Sequence, residues 1–278
     1  MLLLSLAFGC MIGFVLGLTG GGGGIFAVPL LVYGLGVPTH QAIVISLATV
    51  GLTALSGGLL LLPGGEAEGR TALIFGLSGI LGAPLGAWVN PYLPATGLLS
   101  GFALLMLVVA WHLWRQATQR PEESRIMFGA SDPALDESAG PACRYDPGGR
   151  LQFTSRCALR LALTGSATGL LSGLFGVGGG FLIVPALVLV AALPIRRAVA
   201  TSLWVIAIIS SIALLTHLLA GHRLDFGLTA GFVLGGLGGM GFGIALGRRI
   251  AGPQLQKTFA SMVAIVAVFI MARLVIDR

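Results

Sequence analysis

The fold is decided by two glycine-rich stretches, residues 17–36, GLTGGGGGIFAVPLLVYGLG, and residues 173–192, GLFGVGGGFLIVPALVLVAA. Each stretch places a glycine tract inside a long apolar run that carries no charge. An unpaired backbone N–H or C=O group in hydrocarbon costs several kcal/mol, so irregular backbone is stable there only where protein or a water-filled cavity covers it. The two tracts therefore predict one buried site that both of them share.

Long stretches without charge place the chain in a membrane. A transmembrane helix needs roughly 20 apolar residues, and most of these stretches could hold at least one. They are residues 1–65, 71–114, 161–195, 226–247 and 258–272. We expect an all-α, multi-pass integral membrane protein. The formal charge of +6 lies in the loops, where basic residues report orientation and contact with membrane lipid. We find no nucleic-acid motif.

The chain matches itself without gaps at an offset of 156 residues. The match pairs Gly17 with Gly173, Pro29 with Pro185, Ala42 with Ala198 and Ser46 with Ser202. This repetition predicts a tandem duplication, with a first transmembrane repeat over residues 1–115 and a second over residues 156–278. Between them, residues 116–155 are rich in arginine and proline, and we interpret them as a polar surface linker.

Each half is predicted to contain a helix interrupted at its glycine tract and three full transmembrane helices, about ten helical segments in all. The helix after the first tract, residues 25–36, has about 12 residues, or roughly 18 Å, against a hydrocarbon core of about 30 Å. It is too short to span, so it is either a re-entrant arm or half of a broken pair. Its counterpart is residues 181–193.

The count of crossings predicts that the second half is inverted relative to the first. In this arrangement the N-terminus and the linker lie on opposite sides, and only Arg223, Arg273 and Arg278 lie on the side of the N-terminus. Lys and Arg accumulate in cytoplasmic loops, so we expect a cytoplasmic linker and periplasmic or external termini. The alternative is a parallel four-plus-four repeat, which would place Arg196 and Arg197 opposite the linker.

The assembled residues resemble the sulfite exporter TauE/SafE family. The matching stretches are residues 17–58 and 173–211, together with GAPLGAWVNPYLP at 82–94 and GFGIALGRRIAGPQLQ at 241–256. The resemblance implies a bacterial inner-membrane transporter that moves small sulfur-containing anions such as sulfite, thiosulfate and organosulfonates. One departure from internal symmetry is Val177, which stands where the first copy has Gly21.

The glycine tracts predict a site for an anion. A helix N-terminus presents unpaired N–H groups and about half a positive charge, and glycine allows backbone to approach a ligand closely. In transporters with inverted repeats, the N-termini of broken helices face anionic groups near the bilayer midplane. The predicted contacts are Thr19, Gly20, Gly22, Gly23, Gly24, Ser46, Thr49, Gly176, Gly178, Gly179, Gly180, Thr201 and Ser202.

Three further side chains, His40, Arg196 and Arg197, come shortly after Pro38 and Pro194, at the starts of helices. They could attract the anion to a mouth of the protein, but orientation toward anionic lipid is the favoured explanation of the arginines. His217 and His222 are interpreted as interfacial residues near helix ends. No Asp or Glu lies within a predicted span, so the carboxylate relay common in proton-coupled pumps is absent.

Two other functions remain as alternatives. A membrane enzyme could use the glycine tracts to bind a phosphate-like group, but neither tract is followed by Lys-Ser or Lys-Thr and no acid–base set accompanies it. A non-transporting assembly subunit would have no need of duplicated glycine tracts. We therefore predict a protein that is not an enzyme, with no catalytic residue, cofactor or metal site; a homodimer is one expected assembly.

Overall fold

A computed structural model describes residues 2–62, 67–119, 144–145, 151–152, 155–175, 180–191, 193, 195–222, 224–247 and 252–276. These residues are almost entirely helical. The helices are α1 Leu2–Thr19, α2 Gly23–Pro29, α3 Thr39–Leu61, α4 Gly69–Val89, α5 Ala95–Gln119, α6 Ser155–Phe175, α7 Gly180–Ala191, α8 Ile195–Leu219, α9 Phe226–Gly247 and α10 Gly252–Ile276. The pattern of ten helical segments is confirmed.

Six of these helices contain stretches long and apolar enough to cross a membrane. They are Thr39–Leu61, Gly69–Tyr92, Ala95–His112, Cys157–Phe175, Arg197–Leu219 and Phe226–Gly247. Their outward faces carry many exposed leucine and aromatic side chains, including Leu81, Trp111 and Phe242, as expected where lipid rather than water surrounds the protein. The chain is therefore a multi-pass integral membrane protein.

The segment predicted as a linker contains little described structure. α5 extends to Gln119, inside the range 116–155, and α6 begins at Ser155. Between them, the two-residue strands β1, Arg144–Tyr145, and β2, Leu151–Gln152, pair in an antiparallel hairpin. The remaining residues of this range are outside the described part of the chain.

The short helices begin slightly earlier than the sequence predicted. α2 begins at Gly23 rather than at residue 25, and α7 begins at Gly180 rather than at residue 181. The last glycines of each tract therefore form the first residues of the helix that follows. After Pro29 the helix continues as a wider π-helical turn, Leu30–Gly34. Proline has no N–H to donate to the preceding turn, and such irregular turns often accompany a break in the regular hydrogen-bond ladder.

Helices of one half pack mainly against helices of the other half. α1 of the first half packs along α9 of the second, and α4 of the first half packs along α6. At the offset between the repeats, α1 corresponds to α6 and α4 corresponds to α9, so one contact is made twice. α3 packs against its own counterpart α8, and α5 packs against α10. Each half is therefore incomplete without the other.

Glycines allow the backbones of these helix pairs to touch. A Cβ added to Gly13 of α1 would overlap the carbonyl oxygen of Gly236 of α9, and a Cβ added to Gly169 of α6 would overlap the carbonyl oxygen of Gly79 of α4. Lipid tails are as apolar as leucine, so helices in a membrane associate through close packing of small residues of this kind.

The register of the contacts gives the relative direction of the helices. Gly9 and Gly13 of α1 meet Phe232 and Gly236 of α9 in rising order, so α1 and α9 run parallel. By contrast, Gly51 of α3 lies against Ser210 of α8 while Gly57 lies against Leu203. The order falls along α8, so these two corresponding helices run in opposite directions.

Candidate functional site at the glycine breaks

The first glycine tract forms a short break between α1 and α2. α1 ends at Thr19, and Gly20 adopts a φ of +72°, a left-handed conformation that costs a residue with a side chain about 1–2 kcal/mol. The Thr19 hydroxyl donates to the Val15 carbonyl at 2.8 Å and accepts from the Gly22 N–H at 2.8 Å. The break is thus held by the side chain that precedes it.

Several backbone donors of the break are buried inside the protein. Gly20 through Gly24 are all buried. The N–H groups of Gly21, Gly23 and Gly24 have no hydrogen-bond partner among the residues that the structure describes. Because buried backbone donors are nearly always paired, three such groups at one helix start form a place where an acceptor would be stabilised.

The first break meets the start of α7 in the interior. A Cβ added to Gly21 would overlap the backbone of Gly180, the first residue of α7, and a Cβ added to Gly180 would lie 2.7 Å from the Gly21 Cα and 2.7 Å from the Ile206 side chain. Backbone from both halves therefore lies in contact, with no side chain between. The other predicted ligands of the second break, Gly176, Gly178 and Gly179, lie outside the described residues, as does Val177.

Ser202 joins the first break to the second half. Its buried hydroxyl lies 2.6 Å from the Gly20 carbonyl and 2.7 Å from the Val199 carbonyl. The Ser202 hydroxyl therefore secures the carbonyl of the left-handed residue and connects α8 to the end of α1. The structure thus brings Thr19, Gly20 and Ser202 together.

The remaining predicted hydroxyls have different surroundings. The Thr49 hydroxyl donates to the Ile45 carbonyl of its own helix at 2.8 Å. The Thr201 hydroxyl accepts from the Glu68 N–H at 3.0 Å, so it caps the segment before α4. Ser46 is fully buried, and its hydroxyl has no partner among the described residues.

Ser46 and Ser202 lie at different depths. Because Gly51 lies against Ser210 in the antiparallel pair of α3 and α8, Ser46 is level with a point on α8 about 13 residues beyond Ser202. At 1.5 Å per residue this is a separation of roughly 20 Å along the helices. The two serines therefore serve two separate positions along the protein.

One end of the α3–α8 pair carries an ion pair. Arg197, in the first turn of α8, places Nη1 3.1 Å from Oε1 of Glu68, and both side chains are partly exposed. This contact lies at the start of α8, one turn before Thr201. We call this the Arg197 end of the molecule. The side chain of Arg196 is outside the described residues.

The opposite end carries a group of polar side chains at the last turn of α6. His40 Nδ1 lies 2.8 Å from Asn90 Oδ1, and the Asn90 amide donates to the Leu174 carbonyl at 2.7 Å. His217 Nε2 lies 3.0 Å from the Gly173 carbonyl, and His222 Nδ1 lies 3.2 Å from the His217 carbonyl. We call these four side chains the histidine cluster and this end the His40 end.

Comparison with known proteins identifies the family. The family model described as "Sulfite exporter TauE/SafE" matches residues 5–270. The chain belongs to the sulfite exporter TauE/SafE family. The match covers both glycine tracts and all ten helices in whole or in part, so the TauE/SafE resemblance seen in the sequence is confirmed.

Curated proteins similar to this TauE/SafE chain are named as membrane transporters. A probable membrane transporter protein of Xylella fastidiosa strain 9a5c is 32% identical over 276 residues, which cover 98% of this chain and 95% of that protein. The probable membrane transporter protein YunE of Bacillus subtilis is 28% identical over 276 residues, with 97% and 95% coverage. No solved structure matches the chain.

The histidine cluster of this TauE/SafE chain was not predicted from the sequence, because His40, His217 and His222 were considered separately. A signal was present: the predicted topology places the loop before α3 and the loop before α9 on the same side of the membrane. His40 and His222 belong to these two loops. Their common side made a contact between them predictable, but the part played by Asn90 and the α6 carbonyls depends on helix packing.

Proposed function

We propose that this protein is an exporter of small sulfur-containing anions, namely sulfite, thiosulfate or organosulfonates, in the bacterial inner membrane. The observation that carries the proposal is the buried first break, where the N–H groups of Gly21, Gly23 and Gly24 have no partner among the described residues. Membership of the sulfite exporter TauE/SafE family supplies the class of substrate.

The chemistry of the break suits a sulfur oxyanion. Sulfite and sulfonate oxygens accept hydrogen bonds, and the N-terminus of a helix combines free N–H donors with about half a positive charge. A charged ligand would also need surroundings that do not repel it. No Asp or Glu occurs in any of the six candidate spans, so an anion meets no opposing carboxylate within them.

We propose one half-site at each break. The first consists of Thr19, Gly20, Gly22, Gly23 and Gly24 with Ser202, and the second consists of Gly176, Gly178, Gly179 and Gly180 with Ser46. The contact between Gly21 and Gly180 places the first half-site directly against the start of α7. Thr49 and Thr201 bond to neighbouring backbone, so in this proposal they support the half-sites from their flanks. His40, Arg196 and Arg197 belong to the two mouths.

We further propose that the repeats are inverted, with a cytoplasmic linker and periplasmic termini. The opposite directions of α3 and α8 support this arrangement, because an inversion reverses each helix relative to its counterpart. A parallel four-plus-four repeat would make corresponding helices run the same way. The positions of the two polar ends agree, since Arg197 then faces the cytoplasm, where Lys and Arg accumulate.

The function is tested by flux into proteoliposomes containing the purified protein. Sulfite, thiosulfate, sulfoacetate, taurine and chloride are compared, with and without a pH gradient. We expect saturable flux of at least one sulfur anion, about tenfold or more above both chloride and empty liposomes. Flux of no anion above the level of empty liposomes would refute the proposal.

The site is tested by placing the same side chain at two glycines. Gly21→Val drives a side chain into Gly180, whereas Gly241→Val on α9 points into open space. We expect Gly21→Val to abolish flux and Gly241→Val to retain it, with both proteins inserted and monodisperse in detergent. Equal flux in two well-folded variants would show that the break is only a packing feature.

A further inference from the structure

The histidine cluster joins three imidazoles from separate parts of the chain. The ring centroids of His217 and His222 are 5.3 Å apart, and those of His40 and His222 are 6.4 Å apart. His217 and Asn90 are fully buried. The cluster contacts the carbonyls of Gly173 and Leu174, which come just before the second glycine tract in the sequence. It therefore lies at the end of α6 from which the chain continues into the second glycine tract.

The hydrogen bonds define which nitrogen of each neutral ring carries the proton. A carbonyl can only accept, so His217 donates from Nε2 to Gly173, and His222 donates from Nδ1 to the His217 carbonyl. The Asn90 amide nitrogen donates to Leu174, so its oxygen accepts from His40 Nδ1. Each neutral imidazole has one donor and one acceptor nitrogen, and each ring is thus left with a lone pair on its other nitrogen.

The lone pair on Nδ1 of His217 has no hydrogen-bond donor among the described residues. Its Nδ1 is buried and has no hydrogen-bond partner among the residues that the structure describes. A buried acceptor of this kind is costly to leave without a donor, so Nδ1 is the nitrogen of His217 at which a proton or a donor group would bind. Within the described part of the chain, no group of three His, Cys, Asp or Glu side chains has the geometry to hold a metal ion.

Among the described residues, the titratable groups near His217 are the other two histidines of the cluster, with Asp225 and Tyr92 at the exposed surface of this end. α3 contributes His40, and the turn before α9 contributes His222 together with Asp225, which is exposed. After α4, Tyr92 is also exposed. The described residues of α4 and α6 place their arginines, Arg70 and Arg160, at the other ends of those helices. Arg223 is outside the described residues.

We propose that His40, His217 and His222 form a proton-binding site that takes up a proton together with the transported anion. This inference rests on the proposed function. A protonated imidazole donates from both nitrogens, so one proton gives the cluster a positive charge and converts one of its three lone-pair nitrogens into a donor at this end of α6. An anion and a proton then stabilise each other, and the six candidate spans supply no Asp or Glu for this task.

The test uses substitutions that keep each hydrogen bond but cannot be protonated. His217→Gln retains a donor near Nε2, and His40→Asn and His222→Asn retain a donor near Nδ1. His112→Gln, at an exposed position of α5 outside the cluster, is the matched control. Labelled anion flux and interior pH are recorded together in proteoliposomes with the membrane potential clamped.

We expect wild-type protein and His112→Gln to move protons with the anion and to carry at least tenfold more flux at pH 6 than at pH 8. In His217→Gln the ratio of protons to anions should fall more than tenfold, and the pH dependence should disappear. Anion flux without proton movement in the wild type, or an unchanged ratio in His217→Gln, would overturn the inference while leaving the proposed function intact.

A separate measurement decides the inference if no anion crosses at all. In that case the proposed function fails, and proton binding is measured directly by nitrogen NMR of histidine-labelled protein between pH 5 and pH 8. We expect coupled titration of the cluster imidazoles, altered for His40 and His222 by His217→Gln and unaffected by His112→Gln. Cluster histidines that do not titrate, or that titrate independently of residue 217, would refute the site.

Discussion

Ser46 and Ser202 occupy equivalent positions in the two halves but have different described contacts. The Ser202 hydroxyl bonds to the Gly20 carbonyl at 2.6 Å, whereas the Ser46 hydroxyl is buried without a partner among the described residues. A buried hydroxyl that already has an acceptor stabilises the fold. A buried hydroxyl without one lowers stability, because its lost hydration is not compensated, and a ligand that accepts from it would recover that cost.

We therefore expect Ser202→Ala to lower the free energy of unfolding by about 1 kcal/mol, because it leaves the Gly20 carbonyl without this donor. Ser46→Ala should leave it unchanged or raise it, because this change removes a buried hydroxyl that has no partner among the described residues, while lowering the apparent affinity for the anion. Stability is measured by unfolding of the purified protein in detergent micelles. Equal losses of stability in the two variants would contradict the assignment.

The sequence predicted these residues because duplication repeats the glycine tract and the serine at the same spacing. It could not predict that Ser46 and Ser202 lie at different depths, because depth follows from the antiparallel register of α3 and α8. For the same reason, Thr201 was predicted beside the break, whereas its hydroxyl contacts Glu68. Thr201 and Ser202 are adjacent in sequence on one helix, but their hydroxyls contact different parts of the protein.

At the level of helices, the contact of α1 with α9 depends on glycines at helical spacing. A Cβ added to Gly239 would overlap the carbonyl oxygen of Cys10, whereas one added to Gly241, two residues later on the same helix, would meet nothing within 4 Å. The same substitution at these two positions therefore separates the effect of close packing from the intrinsic preference of a helix for alanine over glycine.

We expect Gly239→Ala to destabilise the protein by about 1–3 kcal/mol, the usual cost of overpacking a tight contact. Gly241→Ala should be neutral or slightly stabilising, since alanine favours the helix. Thermal unfolding in detergent, followed by size-exclusion chromatography, compares the two. A larger loss in Gly241→Ala than in Gly239→Ala would show that the face of α9 is wrongly placed.

The helices were predictable from composition, because an uncharged apolar run of about 20 residues has few stable structures in a membrane other than a transmembrane helix. Their starts were less predictable, since Gly23 and Gly180 continue a glycine tract and yet begin helices. The exchange of α1 and α6 between the halves was also absent from the sequence reasoning. Periodic small residues indicate that a helix packs closely, but they do not identify its partner.

Across the whole molecule, polar contacts mark the two ends of the α3–α8 pair. Glu68 and Arg197 form an ion pair at one end, and His40 contacts Asn90 at the other. Because α4 begins just after Glu68 and ends just before Asn90, this helix connects the two ends. Its exposed terminal residues report which end faces the cytoplasm.

The proposed orientation predicts opposite accessibility for two cysteines, one in the first turn of this helix and one just after its last residue. In a background without native cysteines, Tyr92→Cys at the His40 end should react with a membrane-impermeant maleimide in intact cells, because both residues are exposed and this end faces outward. Arg70→Cys should react only after the membrane is permeabilised. The reverse pattern would mean that the linker lies outside.

The exchange of helices between the halves also has a consequence for synthesis on the ribosome. α1 leaves the ribosome first, but its partner α9 follows roughly 200 residues later, which at 5–20 residues per second is a delay of about 10–40 s. During that interval the glycine face of α1, including Gly9 and Gly13, has no α9 backbone to contact. The nascent first half must therefore wait in the membrane, shielded by lipid or by an insertion factor, until translation of the second half supplies its missing helix.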